Sequence, residues 1–146
     1  MKALFPLDGS EATFEALERA LAFLVPTKDH QATFLVVMSK ALRDMPADAR
    51  EHLEFDDEDE LFLRDDEAKA VIKRATELAK KAKFANVKGQ ILVGKVKETI
   101  IQESAKHDLL VMHALAADEA AEKRRGSATE EIARHAACSV LLVRPG

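Results

Sequence analysis

Three short stretches of this chain carry residue types that could do chemistry. Asp8-Gly9-Ser10 sets a carboxylate beside a hydroxyl where an apolar run gives way to an amphipathic one. Gly126-Ser127 opens another amphipathic run. At a helix start, backbone N–H groups and a hydroxyl would receive a phosphate, because those donors lack helical partners and the helix dipole favours an anion. Lys123, Arg124 and Arg125 stand just before that turn and could screen a polyphosphate.

Each stretch also has a plainer reading. Ser10 suits a helix N-cap with Glu11 at the positive end of the dipole. Ser127 and Glu130 have the Ser-x-x-Glu spacing of a capping box. The basic triplet reads more readily as a solvated loop. His107, His113 and His135 invite a metal or acid–base role, yet no pair has the i, i+4 helical spacing and no cysteine–histidine grouping accompanies them. Neither a metal site nor a catalytic residue is therefore expected. Cys138 precedes an apolar strand and is expected to pack as a small buried hydrophobe.

The elements that would position these residues follow from periodicity. Ala3 to Leu7 is a short apolar run, and Phe14, Leu17, Leu21 and Leu24 then recur at helical spacing. Ala32 to Met38 is almost wholly apolar and rich in branched residues, as suits a strand covered on both faces of a parallel sheet. From Ser39 to about Glu60 the pattern dissolves, before Ala68, Val71, Ile72, Ala75, Leu78, Ala79 and Ala82 resume a long helix. Val87 to Val93 predicts a third strand, Val96 to Ala105 a short helix, and Leu109 to Met112 a fourth strand. Ser127 to Ala137 predicts a final helix and Val140 to Val143 a fifth strand. Such alternation implies right-handed crossovers and a doubly wound α/β fold with helices on both faces of a mostly parallel sheet. Ligands of such sheets sit beyond the carboxyl ends of the strands, which directs attention to Asp8, to Val37 and to Met112 with the loop after it.

Composition narrows the function classes. The chain has 146 residues, 47% hydrophobic and 33% charged, enough for one domain spanning 1–146 with a continuous core. No apolar run is long enough to span a bilayer, and a single cysteine excludes an internal disulfide, so a cytoplasmic location is expected. The net charge of −4 conceals an asymmetry: Glu51 to Glu67 holds ten acidic residues against Arg64 alone, contributing −9 and leaving +5 elsewhere. That distribution lacks the one-sided basic face of a nucleic-acid binder. Within it, Asp56 to Glu60 reads as a solvated run rather than a divalent-cation site.

In order and spacing, LFPLDGSEAT, ILVGKVKETI, HDLLVM and GSATEEIARHAACSVLLVR resemble the universal stress protein family. The resemblance implies an adenine nucleotide alpha hydrolase-like fold with five parallel strands in the order 3-2-1-4-5. It also implies a homodimer, often through the last strand. The family's nucleotide loop runs as a glycine, two residues, a second glycine, nine residues, then glycine with serine or threonine. The matching positions are His113, Ala116, Gly126 and Ser127, followed by Ala128 at the helix start, so the spacing survives while the first two glycines are replaced. By resemblance, Asp8 contacts the adenine side of the nucleotide and His113 adds a ring where ribose would lie. The side chains of His113 and Ala116 obstruct what bare backbone allows, namely positive φ and close approach of N–H groups to phosphate. The expected function is therefore a stress-associated binding protein with weak or absent ATP or AMP binding; the alternative is a working nucleotide switch that hydrolyses ATP slowly. A phosphotransfer receiver of similar winding is set aside, since Ile91-Leu92-Val93 offers no phosphoryl-accepting acid and Val140 to Val143 no lysine.

Overall fold

The computed structural model describes residues 1–24, 29–38, 65–113 and 129–144. The apolar runs form five strands: β1 Lys2–Pro6, β2 Gln31–Met38, β3 Asn86–Val93, β4 Leu109–His113 and β5 Ser139–Val143. The periodic segments form α1 Glu11–Phe23, α2 Asp65–Lys81 and α3 Val96–Ser104, and residues 129–135 are helical. Each expected strand is present, with its ends displaced by about one residue. The stretch from Ser39 to Glu60 lies outside the described residues.

All strand pairs are parallel and the sheet order is β3-β2-β1-β4-β5. This is the expected 3-2-1-4-5 winding. β2, next to the middle of the sheet, is buried from Ala32 to Met38, which accounts for its near-continuous apolar sequence. Alternate residues feed two cores. One face carries Phe5, Phe34, Val36 and Val111 against α1 and α2. The other carries Leu4, Leu35, Val37, Leu110 and Met112 against Val96 and Ile100 of α3 and Ile132 of the last helical segment. Helices thus cover both faces. Among the described residues, no helix is long and apolar enough to cross a membrane.

Two local devices fix the helices. Arg74 of α2 reaches across to Glu11 of α1, at 2.9 and 3.1 Å, with its guanidinium 4.0 Å over the Phe14 ring. Ser104, fully buried at the end of α3, donates to the Ile101 carbonyl at 2.6 Å and accepts from the backbone N–H of Ala137 at 2.9 Å, joining α3 to the approach of β5.

The end of α2 tests a backbone rule. Lys83 adopts φ 68°, and the bonds Lys83 N–H to Lys80 O and Phe84 N–H to Ala79 O make a Schellman termination in which glycine is the usual residue. Burial of Phe84 anchors the chain beyond it. Lys83→Gly is expected to raise stability by about 1 kcal/mol through relief of the left-handed side-chain clash, offset in part by a freer unfolded chain. A higher urea midpoint with an unchanged m-value is the check.

β5 forms one edge of the sheet and β3 the other. On β5, Leu142 is 51% exposed, with Val140 and Leu141 half-buried.

Candidate functional site

The turn after β1 is set by three consecutive residues with distinct tasks. Gly9 takes φ 82°, a region that L side chains avoid, so the chain can reverse sharply from strand to helix. Ser10 is the N-cap of α1, its Oγ accepting from the backbone N–H of Thr13 at 3.2 Å. Asp8 holds the turn from the other side: its Oδ1 accepts from Ser10 N–H at 2.9 Å and Ser10 Oγ–H at 2.6 Å. The capping reading of Asp8-Gly9-Ser10 is therefore correct as far as Oδ1 is concerned.

Oδ2 of the same carboxylate is occupied differently. It is buried and receives no hydrogen bond. Facing it at 3.4 Å is Nε2 of His113, the last residue of β4, which adjacency of β1 and β4 brings across the sheet. At that length and geometry the contact is an electrostatic pairing rather than a formed hydrogen bond. The other ring nitrogen, Nδ1, lies 3.3 Å from Thr13 Oγ1, which itself accepts from Asp8 N–H at 3.4 Å. The four residues Asp8, Ser10, Thr13 and His113 thus close one polar network. Its members are well covered, the side chains of Asp8 and His113 being 5% and 15% exposed.

Burial by itself would push the Asp8 carboxyl up. The neighbouring His113 ring and the two Ser10 donors outweigh it and hold the group well below the usual carboxylate range, so Asp8 is an anion at neutral pH. Beside the network a narrow, mostly apolar cleft runs between α1 and the carboxyl ends of β1 and β4, with Leu7, Thr13, Val111, Met112 and His113 among its walls.

The structure brings together some of the residues singled out from the sequence. Asp8 and His113 touch. Val37 and Met112 share the opposite face at the carboxyl ends of β2 and β4, packed in the same apolar cluster. Ala116, Gly126, Ser127 and Ala128 lie outside the described residues, as do Lys123, Arg124 and Arg125. Thr13 was not anticipated. Its signal was available: a hydroxyl three residues after an N-cap serine, on the face of α1 that carries Phe14 and Leu17 inward.

The other two histidines singled out from the sequence stand apart from this network. His107 Nδ1 lies 2.9 Å from the Glu103 carbonyl, and His135 is exposed on the last helical segment. Among the described residues, no group of three or more His, Cys, Asp or Glu is arranged to hold a metal ion. Cys138 is half-buried against the second core, less enclosed than its sequence setting suggests, and burial together with the Asp108 charge pushes its thiol up, away from the reactive thiolate.

Comparison with other proteins adds a family. The profile of the universal stress protein family matches residues 1–144. Similar solved structures include a universal stress protein in complex with cAMP, 19% identical over 100% of this chain and 98% of that one, with a TM-score of 0.68. UspA from Lactobacillus plantarum is 22% identical over 99% of this chain and 97% of that one, with a TM-score of 0.71. Hypothetical protein MJ0577 is 24% identical over 99% of this chain and 96% of that one, with a TM-score of 0.70. At these identities the structural likeness concerns the fold. A search of curated proteins returned no significant match.

Proposed function

This chain belongs to the universal stress protein family, and from that premise we propose that it is a small stress-associated binding protein, without chemistry of its own, whose adenine-nucleotide site is weakened. The observation that carries this reading is the placement of His113. Where the family loop begins with glycine, this chain has an imidazole turned inward onto Asp8 and Thr13. The carboxylate that the resemblance assigns to the adenine side of a ligand is already engaged from within. Ala116 replaces the second glycine, so the loss of bare backbone is double. The reading takes residues 1–146 as one functional unit acting in the cytoplasm.

A second reading, a working nucleotide switch with slow ATP hydrolysis, draws on the retained Asp8, on Gly126-Ser127 and on the basic triplet before them. A structural neighbour in complex with cAMP supports adenine nucleotides as the ligand class. One experiment separates the two. Freshly purified protein is denatured and the released small molecules are identified by mass spectrometry, and ATP is titrated calorimetrically into the stripped protein. Little or no co-purified nucleotide and a dissociation constant above about 100 μM are expected, equivalent to binding weaker than roughly 5.5 kcal/mol. Stoichiometric ATP or AMP in the released fraction would establish the switch instead.

Assembly is the other part of the proposal. The outward edge of β5, with Leu142 half in solvent, is an apolar strand edge of the kind that proteins cover, and a second copy of the chain through β5 is the proposed cover. Light scattering at micromolar concentration is expected to give the dimer mass. Replacing Leu142 with lysine is expected to shift it toward monomer.

A further inference from the structure

We propose that ligand entry at this site is linked to a proton: His113 acts as an internal counter-ion to Asp8, and a nucleotide base that takes the Asp8 carboxylate displaces the ring, which then gives its proton to solvent. The proposal rests on the reading of this site as an adenine-nucleotide site.

A carboxylate as enclosed as Asp8 is costly without a partner. Oδ1 is satisfied by Ser10, but Oδ2 has no hydrogen bond, and the group facing it is the His113 ring. Imidazole is the side chain whose charge changes near neutral pH. Only its protonated form carries a donor on each nitrogen, one toward Thr13 Oγ1 and one toward Asp8 Oδ2, and only that form supplies a counter-charge. The neutral ring with its proton on Nε2 can also meet both neighbours, accepting from the Thr13 hydroxyl at Nδ1, but it brings no counter-charge to the carboxylate.

Little else competes for the ring among the described residues. On the turn after β1 the facing charge is Asp8, and on α1 the facing group is the uncharged Thr13. Glu11 is taken by Arg74 at the surface. Met112 precedes the ring on β4, and Val143 lies beside it on β5 with the exposed Arg144 following. An N–H donor on an incoming base can therefore replace the ring at Oδ2. The freed imidazole loses the carboxylate that favours its charged form. The depressed Asp8 carboxyl agrees, since it keeps the acceptor ionised at neutral pH.

Adenosine is the probe, because it has no group that titrates near neutrality. Calorimetry in buffers of different ionisation enthalpy is expected to show proton release on binding, with affinity about tenfold higher at pH 8 than at pH 6. In His113→Gln both effects are expected to vanish. Binding that is equal at the two pH values, or a pH dependence that survives in His113→Gln, would overturn the proposal. If adenosine binds neither protein, entry of a base at Asp8 is refuted, whereas the reading of a weakened nucleotide site stands. The counter-ion role is decided without ligand: the His113 Cε1–H and Asp8 carboxyl carbon resonances are expected to move together with pH, and Asp8→Asn to change the ring titration. A ring titration untouched by Asp8→Asn would refute the counter-ion role.

Discussion

The double variant His113→Gly, Ala116→Gly is expected to bind ATP about tenfold more tightly than the unmodified chain, a gain of roughly 1.4 kcal/mol. Spacing to Gly126-Ser127 is intact, so the defect is local to two side chains rather than a loss of the whole site. Removing the ring frees Asp8 Oδ2 for a ligand donor and opens the mouth of the cleft bounded by Leu7, Thr13 and Met112. Two effects act against the gain. Glycine raises the conformational entropy of the free loop, and the bared carboxylate loses the imidazole that faces it until the ligand arrives. The threshold is modest because these costs are subtracted from the steric relief. Titration calorimetry on both proteins decides the matter, and an unchanged affinity in the double variant would mean that the two side chains are not the obstruction. His113→Gly alone is expected to give part of the gain.

Asp8→Ala is expected to be the most damaging single change in the site, lowering stability at pH 7 by about 3 kcal/mol, the scale for removing one partner of a buried pair. Ser10 N–H and Oγ–H lose their acceptor, and the His113 ring loses the carboxylate that faces it. Asp8→Asn keeps an acceptor for Ser10 and is expected to lose less. The pH dependence has a definite sign. The Asp8 carboxyl is held well below its ordinary range in the folded chain, so its contribution is fully present above the unfolded value of about 3.9 and is lost as pH falls below it toward the folded value. The stability difference between the unmodified protein and Asp8→Ala is therefore expected to be at full size near pH 5 and to shrink below about pH 4. Urea unfolding across that range gives the curve, and a gap that widens on acidification would contradict the assignment.

The sheet was legible in the sequence because each strand announces itself locally. β2 is apolar on both faces, and that continuity is what two helical layers impose. α2 could be read from Ala68, Val71, Ala75 and Ala79, which recur at helical spacing and are all buried. The strand order came from the resemblance rather than from periodicity, and with it the neighbourhood of β1 and β4. What the sequence did not disclose is the direction of the His113 ring. That direction depends on a hydroxyl 100 positions earlier in the chain and a carboxylate on a neighbouring turn, and no local pattern encodes a contact of that span. His113 follows the buried Met112 and faces the same side as Val111, so strand alternation turns it toward α1 and away from the core that holds Val37 and Met112. Thr13 was hidden for a related reason: a threonine in the first helical turn ordinarily signifies nothing beyond the cap.

The hydroxyl of Ser104 has a bearing on how the edge of the molecule comes apart. Because it holds the amide of Ala137 from the end of α3, β5 is tethered at its entrance by an element that it does not neighbour in sequence. A fluctuation that peels β5 from β4 must first release this amide or carry α3 with it. The amide proton of Ala137, although outside any helix or strand, would then exchange with solvent in step with those of α3, placing the edge strand and the helix in one cooperative opening unit rather than letting the edge fray alone.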